Sequence, residues 1–400
     1  MNEIQINWNG HVKKYQAAME ELNLDFCVLT RVKSIIYLAG CFVPWKSYIF
    51  LPKEGMGEPE LLTVLLDVER IRAESHLKNV SGWGPMKGFY WEKKIQSAAK
   101  KAGVYKAKEN PPKIGVELGV DICVTGQMLS YTEAELLKKV FPGCKLIDFN
   151  EKTERIQFIK EPEEIEMLRK ASEITDIGQA AVKEALQNRI QEKKFTENEI
   201  AGIGTLAMRK AGSNYEWTFT GNEEIGSGYR ASWTFNGCTP ATNKIVEEGE
   251  SLLVDLHSEY GCYLGDLSHN YVLGNCPPEL KKFNDVYEQL CYTLVDNMYV
   301  GNTFDNCYQE VRKVADKEGY GNDLFFGLGH GIGCIGNESW PVIVPGKEWG
   351  SLTFEENMVE IAAVVFNRPG LGGLRLESPT LVTKKGAEVL PKTPFEVDYV

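Results

Sequence analysis

No basic tract runs through these 400 residues, and the net charge is −12. Both facts argue against nucleic acid or an anionic membrane surface as a partner. No apolar stretch approaches the roughly 20 residues of a membrane span. The N-terminal segment MNEIQINWNGHVKK lacks an apolar centre and a cleavage site, so it does not read as a signal peptide. The ten cysteines include no C-x-x-C pair and form no regular framework, which points to reduced thiols and a cytoplasmic location. No repeat of fixed period and no low-complexity tract is present. What remains is 43% hydrophobic and 25% charged, the composition of a soluble globular protein long enough for two domains.

The patterning changes near residue 157. Before it, the strand-like runs DFCVLT, SIIYLAG, SYIFLP, ELLTVLL and KIGVEL alternate with the helix-like segments HVKKYQAAMEEL, EKKIQSAAKKAG and SYTEAELLKKVF. That alternation predicts an α/β domain over residues 1–157. Pro162, flanked by Glu161, Glu163 and Glu164, opens a long predicted helix ending near Asn188. Thr196 and Glu199 are spaced as a capping box for the next helix. Residues 158–400 then mix helices with hairpins and read as an α+β domain.

Two hairpin sequences carry the chemistry. In GESLLVDLHSEYGCYLGDLSHNYVLG, a reversal centred on Tyr260 and Gly261 makes Asp255 and Asp266 direct cross-strand neighbours, with Cβ atoms about 5 Å apart. Carboxylates that close repel unless a proton or cation lies between them. In MVEIAAVVFNRPGLGGLRLESPTLV, a reversal at Gly370 sets Ala363 opposite Glu377. Glu360 is three residues from Ala363, so on a strand it faces the other way and does not replace a missing acid there.

GESLLVDL with YLGDLSHN, then FFGLGHGIG, then LRLESPTLVT, resemble the three metal-ligand segments of the creatinase/aminopeptidase family. VKSIIYLAGCF and IKEPEEIEMLRKASEI resemble its N-domain strand and inter-domain helix. The resemblance spans almost the whole chain. It implies an α/β N-terminal domain followed by an α+β catalytic domain of the pita-bread fold, in a homodimer acting on a small-molecule substrate. Metal-dependent members hold two divalent ions with two Asp, one His and two Glu. Carried over, these positions are Asp255, Asp266, His330 and Glu377, while the remaining Glu falls on Ala363. Two further histidines of the family fall on Cys238, with Trp233 nearby, and on Asn337; Glu338 and Pro341 follow as in the family, and the usual Arg after the second Asp is His269.

This donor set suits Mn, Fe, Co or Zn, and the missing ligand implies one bound ion, a weakly held one, or none, as in creatinase-like members. Catalytic candidates are His330, Glu377, Glu338 and Cys238. Substrate-binding candidates are Trp233, Asn337 and Arg375, with Trp45 and Lys46 reaching in from a partner's N-terminal domain. Trp217, Tyr229, Trp233 and Trp340 are candidates for an aromatic cage, and Arg230 for a carboxylate clamp. Because three of the seven usual groups are absent, the expected activity is a hydrolase cleaving an amide- or amidine-type C–N bond of a small charged molecule. The alternatives are an Xaa-Pro dipeptidase or aminopeptidase, a lyase of the dimethylsulfoniopropionate type, and a non-enzymatic binding protein.

Overall fold

The computed structural model describes residues 4–106, 109–119, 128–188, 194–214, 223–232, 239–334, 338–347 and 350–400, without the side chains of 338–340. Two compact units divide the chain, Met1–Gln157 and Phe158–Val400. Among the described residues no cysteine is in a disulfide, and no helix is long and apolar enough to cross a membrane.

The first unit carries a six-stranded sheet of β1 (Phe26–Leu29), β2 (Tyr48–Pro52), β3 (Glu60–Val64), β4 (Asn79–Trp83), β5 (Lys113–Val116) and β6 (Lys145–Asp148), in the order β4-β3-β2-β1-β5-β6. Helices α1 (Trp8–Glu21), α2 (Val32–Ala39), α3 (Val68–Glu74), α4 (Trp91–Lys101), α5 (Tyr131–Val140) and α6 (Asn150–Phe158) connect the strands. One expectation fails here: SIIYLAG, read as a strand, lies in α2. Its β-branched pair Ile35–Ile36 suggested extended chain, but tertiary contacts override that weak preference. The buried Glu117 carboxylate accepts from the backbone N–H groups of Thr30 and Arg31 at 2.7 and 2.8 Å, satisfying donors at the helix start. Gly40, at φ +70°, closes the other end.

In the second unit, α7 (Pro162–Gln187) and α8 (Glu197–Lys210) precede β7 (Glu223–Ser227), β8 (Ser251–Tyr260) and β9 (Tyr263–Val272). Helices α9 (Pro278–Asp296) and α10 (Phe304–Lys317) follow, then β10 (Gly329–Gly331), β11 (Glu338–Val342), β12 (Val359–Arg368), β13 (Gly372–Thr383), β14 (Gly386–Val389) and β15 (Val397–Tyr399). Among the described residues these strands form one sheet, ordered β11-β10-β12-β13-β9-β8-β7, with β14 on β13 and β15 on β9. Strand alternation sorts its two faces. Leu252, Val254 and Leu256 pack with residues of α7 and α8. Ala362, Val364, Phe366, Leu374 and Leu376 pack with residues of α9 and α10. Each buried CH₂ on that face contributes about 0.8 kcal/mol. The intervening residues of the same strands include Asp255, Arg375 and Glu377.

Candidate metal centre

The hairpin β12–β13 has the register that Gly370 implied: Ala363 pairs with Glu377 and Arg368 with Gly372. The hairpin β8–β9 does not. Its two turn residues are Gly261 (φ +59°) and Cys262 (φ +69°), the positive-φ pair of a two-residue hairpin turn, and Tyr260 pairs with Tyr263. The pairing therefore slides, so Asp255 faces Ser268 and Asp266 faces His257. The two aspartates are diagonal neighbours on one face, not direct partners.

Cross-strand pairing then lines up Ala363, Glu377, Ser268, Asp255 and Glu224 across β12, β13, β9, β8 and β7. His257 and Asp266 stand one step along the same face. His330 enters on β10, paired with Ile361. Gly329 beside it sits at φ +112°, and a Cβ there would lie 1.8 Å from the Ile361 carbonyl oxygen, so only glycine lets β10 close on β12. Glu360 pairs with Thr380 and falls on the helix side, as its spacing required.

All these acids are buried: Asp255 is 1% exposed, Asp266 3% and Glu377 7%. His257 Nε2 lies 3.3 Å from Asp266 Oδ1 and 3.8 Å from Asp255 Oδ2. One ligand atom from each of Asp255, His257 and Asp266 can be chosen so that all lie within 4.8 Å of one another. His330 Nε2 is 3.8 Å from Asp266 Oδ2. Its Nδ1 is 3.0 Å from the Gly331 carbonyl oxygen, which makes Nδ1 the donor and leaves a lone pair on Nε2. Arg375 donates to Glu224 and to Asp255 Oδ2, both at 2.6 Å, and its Nε is 3.4 Å from Glu377 Oε2. Glu377 Oε2 also accepts from Ser268 Oγ at 2.7 Å.

Burial pushes the Asp255 carboxyl well above its ordinary range, against the pull of His257 and Arg375. Burial raises Glu377 too, opposed by Arg375 and reinforced by Asp266. Burial acts most strongly on Asp266 and raises it, but the His257 and His330 rings and Arg375 together outweigh it, and the net shift is downward. His257 is held well above the imidazole range, because Asp255 and Asp266 outweigh its own desolvation.

These residues fit a divalent cation. Four carboxyl groups share the face with one guanidinium and two imidazoles, His257 and His330. Asp255 Oδ1 is buried without a hydrogen-bond partner, and Asp266 Oδ1 has only the His257 ring beside it, at 3.3 Å. Unsatisfied buried anionic oxygens cost several kcal/mol unless a cation meets them.

The other candidates fall elsewhere. Arg375, expected to bind substrate, lies on the same face and is paired with Glu224, Asp255 and Glu377 within the protein. Arg230 donates to Glu197 at 3.0 Å and to the Pro240 carbonyl at 2.6 Å. His269 bonds Asp398 at 2.9 Å on the helix side of the sheet. Lys46, in the first unit, is 3.4 Å from Glu133 and donates to the Met128 carbonyl; Trp45 beside it is exposed. Tyr229 is exposed. Cys238, Trp217, Trp233 and Asn337, and the side chains of Glu338 and Trp340, lie outside the described residues. Sequence reasoning passed over His257 and Glu224. His257 was accessible, since two residues from Asp255 on a strand is the same face. Glu224 follows no pattern that would have singled it out.

Residues 166–384 match metallopeptidase family M24, and residues 11–159 match the creatinase/prolidase N-terminal domain. The chain belongs to metallopeptidase family M24, and is a C–N hydrolase of that family. It is 26% identical over 389 residues to an Xaa-Pro dipeptidase of Pyrococcus horikoshii, covering 97% of this chain and 99% of the relative. The solved prolidase from the same organism superposes with a TM-score of 0.78 at 23% identity, covering 96% and 99% of the two chains. An X-Pro aminopeptidase structure from Thermotoga maritima gives 0.80 at 20% identity, covering 97% and 99%. These structures share the pita-bread fold with this protein.

Proposed function

We propose that this protein is a metal-assisted dipeptidase, with Xaa-Pro dipeptides as the substrate class. The observation that carries the reading is the buried carboxylate face, whose orphaned Asp255 Oδ1 calls for a cation. The full-length relatives support the dipeptide class over the specialised small-molecule substrate expected from the missing ligand. A divalent ion held by Asp255, Asp266 and neighbouring donors supplies Lewis acidity toward a scissile carbonyl. The chain's own groups do the rest. Glu377, raised by burial and held by Ser268, is suited to keep and pass a proton. His330 offers an Nε2 lone pair whose tautomer is set by the Gly331 carbonyl. Arg375 fixes Asp255 and Glu377 in orientation.

One observation favours a second reading. Ala363 stands where β12 would carry an acid opposite Glu377, and Glu360 faces away. A site so reduced suits a specialised amidase on a small charged molecule.

Chelated enzyme reloaded separately with Mn²⁺, Co²⁺ and Zn²⁺ should be assayed on Ala-Pro, Leu-Pro, creatine and ectoine. The expected result is metal-dependent cleavage of the dipeptides, with ¹⁸O from water entering the product. Creatine or ectoine turnover without dipeptide cleavage overturns the first reading for the second. Turnover without label would make the enzyme a lyase.

A further inference from the structure

We propose that His257 is a metal ligand of this protein, forming with Asp255 and Asp266 a nitrogen-containing divalent-cation site centred on β8 and β9. The inference rests on the metal-dependent reading above and adds a residue to it.

The geometry separates two roles for the ring. A hydrogen bond between an imidazolium and a carboxylate closes to about 2.7–2.9 Å. His257 Nε2 stands off at 3.3 Å from Asp266 and 3.8 Å from Asp255. Two donors each about 2.1 Å from a common ion, at an angle of 90–110°, lie roughly 3.0–3.4 Å apart. The separation from Asp266 falls in this range, the spacing of co-ligands; the longer one is to the Asp255 oxygen that Arg375 holds. Its neighbours are prepared for the same occupant. Asp255 gives Oδ2 to Arg375, and its Oδ1 is left over without a partner; Asp266 Oδ1 has only the His257 ring, and both residues are at least nine-tenths buried. The charge count agrees. Four buried carboxyl groups, those of Glu224, Asp255, Asp266 and Glu377, share this face with one guanidinium, that of Arg375.

The strand pattern explains why the site sits here. With Ala363 on β12, the face has lost a donor on the far side of Glu377. The imidazole lies at the opposite end, directly across from Asp266. The centre of the donor set is displaced from β12 towards β8. An imidazole nitrogen added to a carboxylate-rich set also changes which ion is favoured. Imidazole suits Zn²⁺, Fe²⁺ and Co²⁺, whereas an all-oxygen set suits Mn²⁺.

The test uses the full-length chain, stripped with chelator and titrated calorimetrically with Zn²⁺ and with Mn²⁺. The wild type should bind at least one ion per chain. His257→Ala should weaken Zn²⁺ by at least 10–100-fold, the scale on which even outer-shell partners of a metal act. Mn²⁺ should weaken less, so the Zn²⁺:Mn²⁺ preference narrows, a change that a packing role would not produce. Pulsed electron paramagnetic resonance of the Mn²⁺-loaded wild type should show a nitrogen coupling that His257→Gln diminishes, which keeps the idea testable if the alanine variant does not fold. Unchanged affinities and coupling in both variants would overturn the assignment and leave the dipeptidase reading standing. A wild type that binds neither ion would overturn the metal-dependent reading itself.

Discussion

Replacing Arg375 with leucine removes the guanidinium and keeps most of its volume. The side chain is 7% exposed and meets Glu224 and Asp255 at 2.6 Å and Glu377 at 3.4 Å. Breaking a buried ion pair by deleting one partner costs about 3–5 kcal/mol, since the stranded charge must be neutralised or hydrated. For a unit the size of Phe158–Val400, each kcal/mol moves the melting temperature by about 2–4 °C, so the loss is about 6–20 °C. The sign of the pH dependence follows. Arg375 acts to lower the Asp255 and Glu377 carboxyls, so its removal raises them further. The folded variant then holds protons that its unfolded chain has released above the ordinary carboxylate range, and its stability falls as pH rises. The gap between wild type and Arg375→Leu should be small near pH 4 and widest near pH 8. Differential scanning calorimetry in chelator across that range measures it. Adding Glu224→Gln to the leucine variant should recover part of the loss. A leucine variant within about 1 kcal/mol of wild type at every pH would refute the claim that Arg375 neutralises this face.

Three further expectations are direct. Ala363→Glu puts a carboxylate opposite Glu377, so it should raise the number of ions bound per chain and lower the melting temperature in chelator; metal analysis and calorimetry read both. Gly329→Ala forces a Cβ onto the Ile361 carbonyl at positive φ, which should cost about 3 kcal/mol or more in denaturant unfolding and weaken metal binding through His330. Burial raises Glu259 to about 7 against the Cys262 N–H and Arg209. Its contribution is therefore complete below the unfolded value near 4.5 and disappears as pH climbs through 7. Glu259→Gln should flatten the stability profile over that window, and an unchanged slope would count against the shift.

Local rules of chain geometry made much of this legible. Thr196 and Glu199 form the reciprocal cap their spacing implied, and α7 runs from Pro162 to Gln187 with Asn188 at its end. Gly370 announced the β12–β13 pairing because one residue near its centre requires positive φ. The β8–β9 pairing was misjudged because two residues share that burden, and the second is Cys262, a residue rarely asked to adopt it. Helix α2 was missed because its residues are buried on all sides and show no period. Arg375 read as free to bind a substrate because nothing local reveals that Glu224, about 150 positions earlier, lies within reach of it. Contacts that depend on strand order across five strands are set by the whole sheet and leave no mark on any one segment.

The reversal at Gly261 and Cys262 works as a spacer gauge for the chemistry. Had the chain turned one position earlier, two carboxylates would stand head-on at about 5 Å, and mutual repulsion would occupy the gap. Turning where it does, the hairpin staggers them and sets an imidazole beside both, so that a single bend several residues from either aspartate decides whether this protein has a hole for a cation.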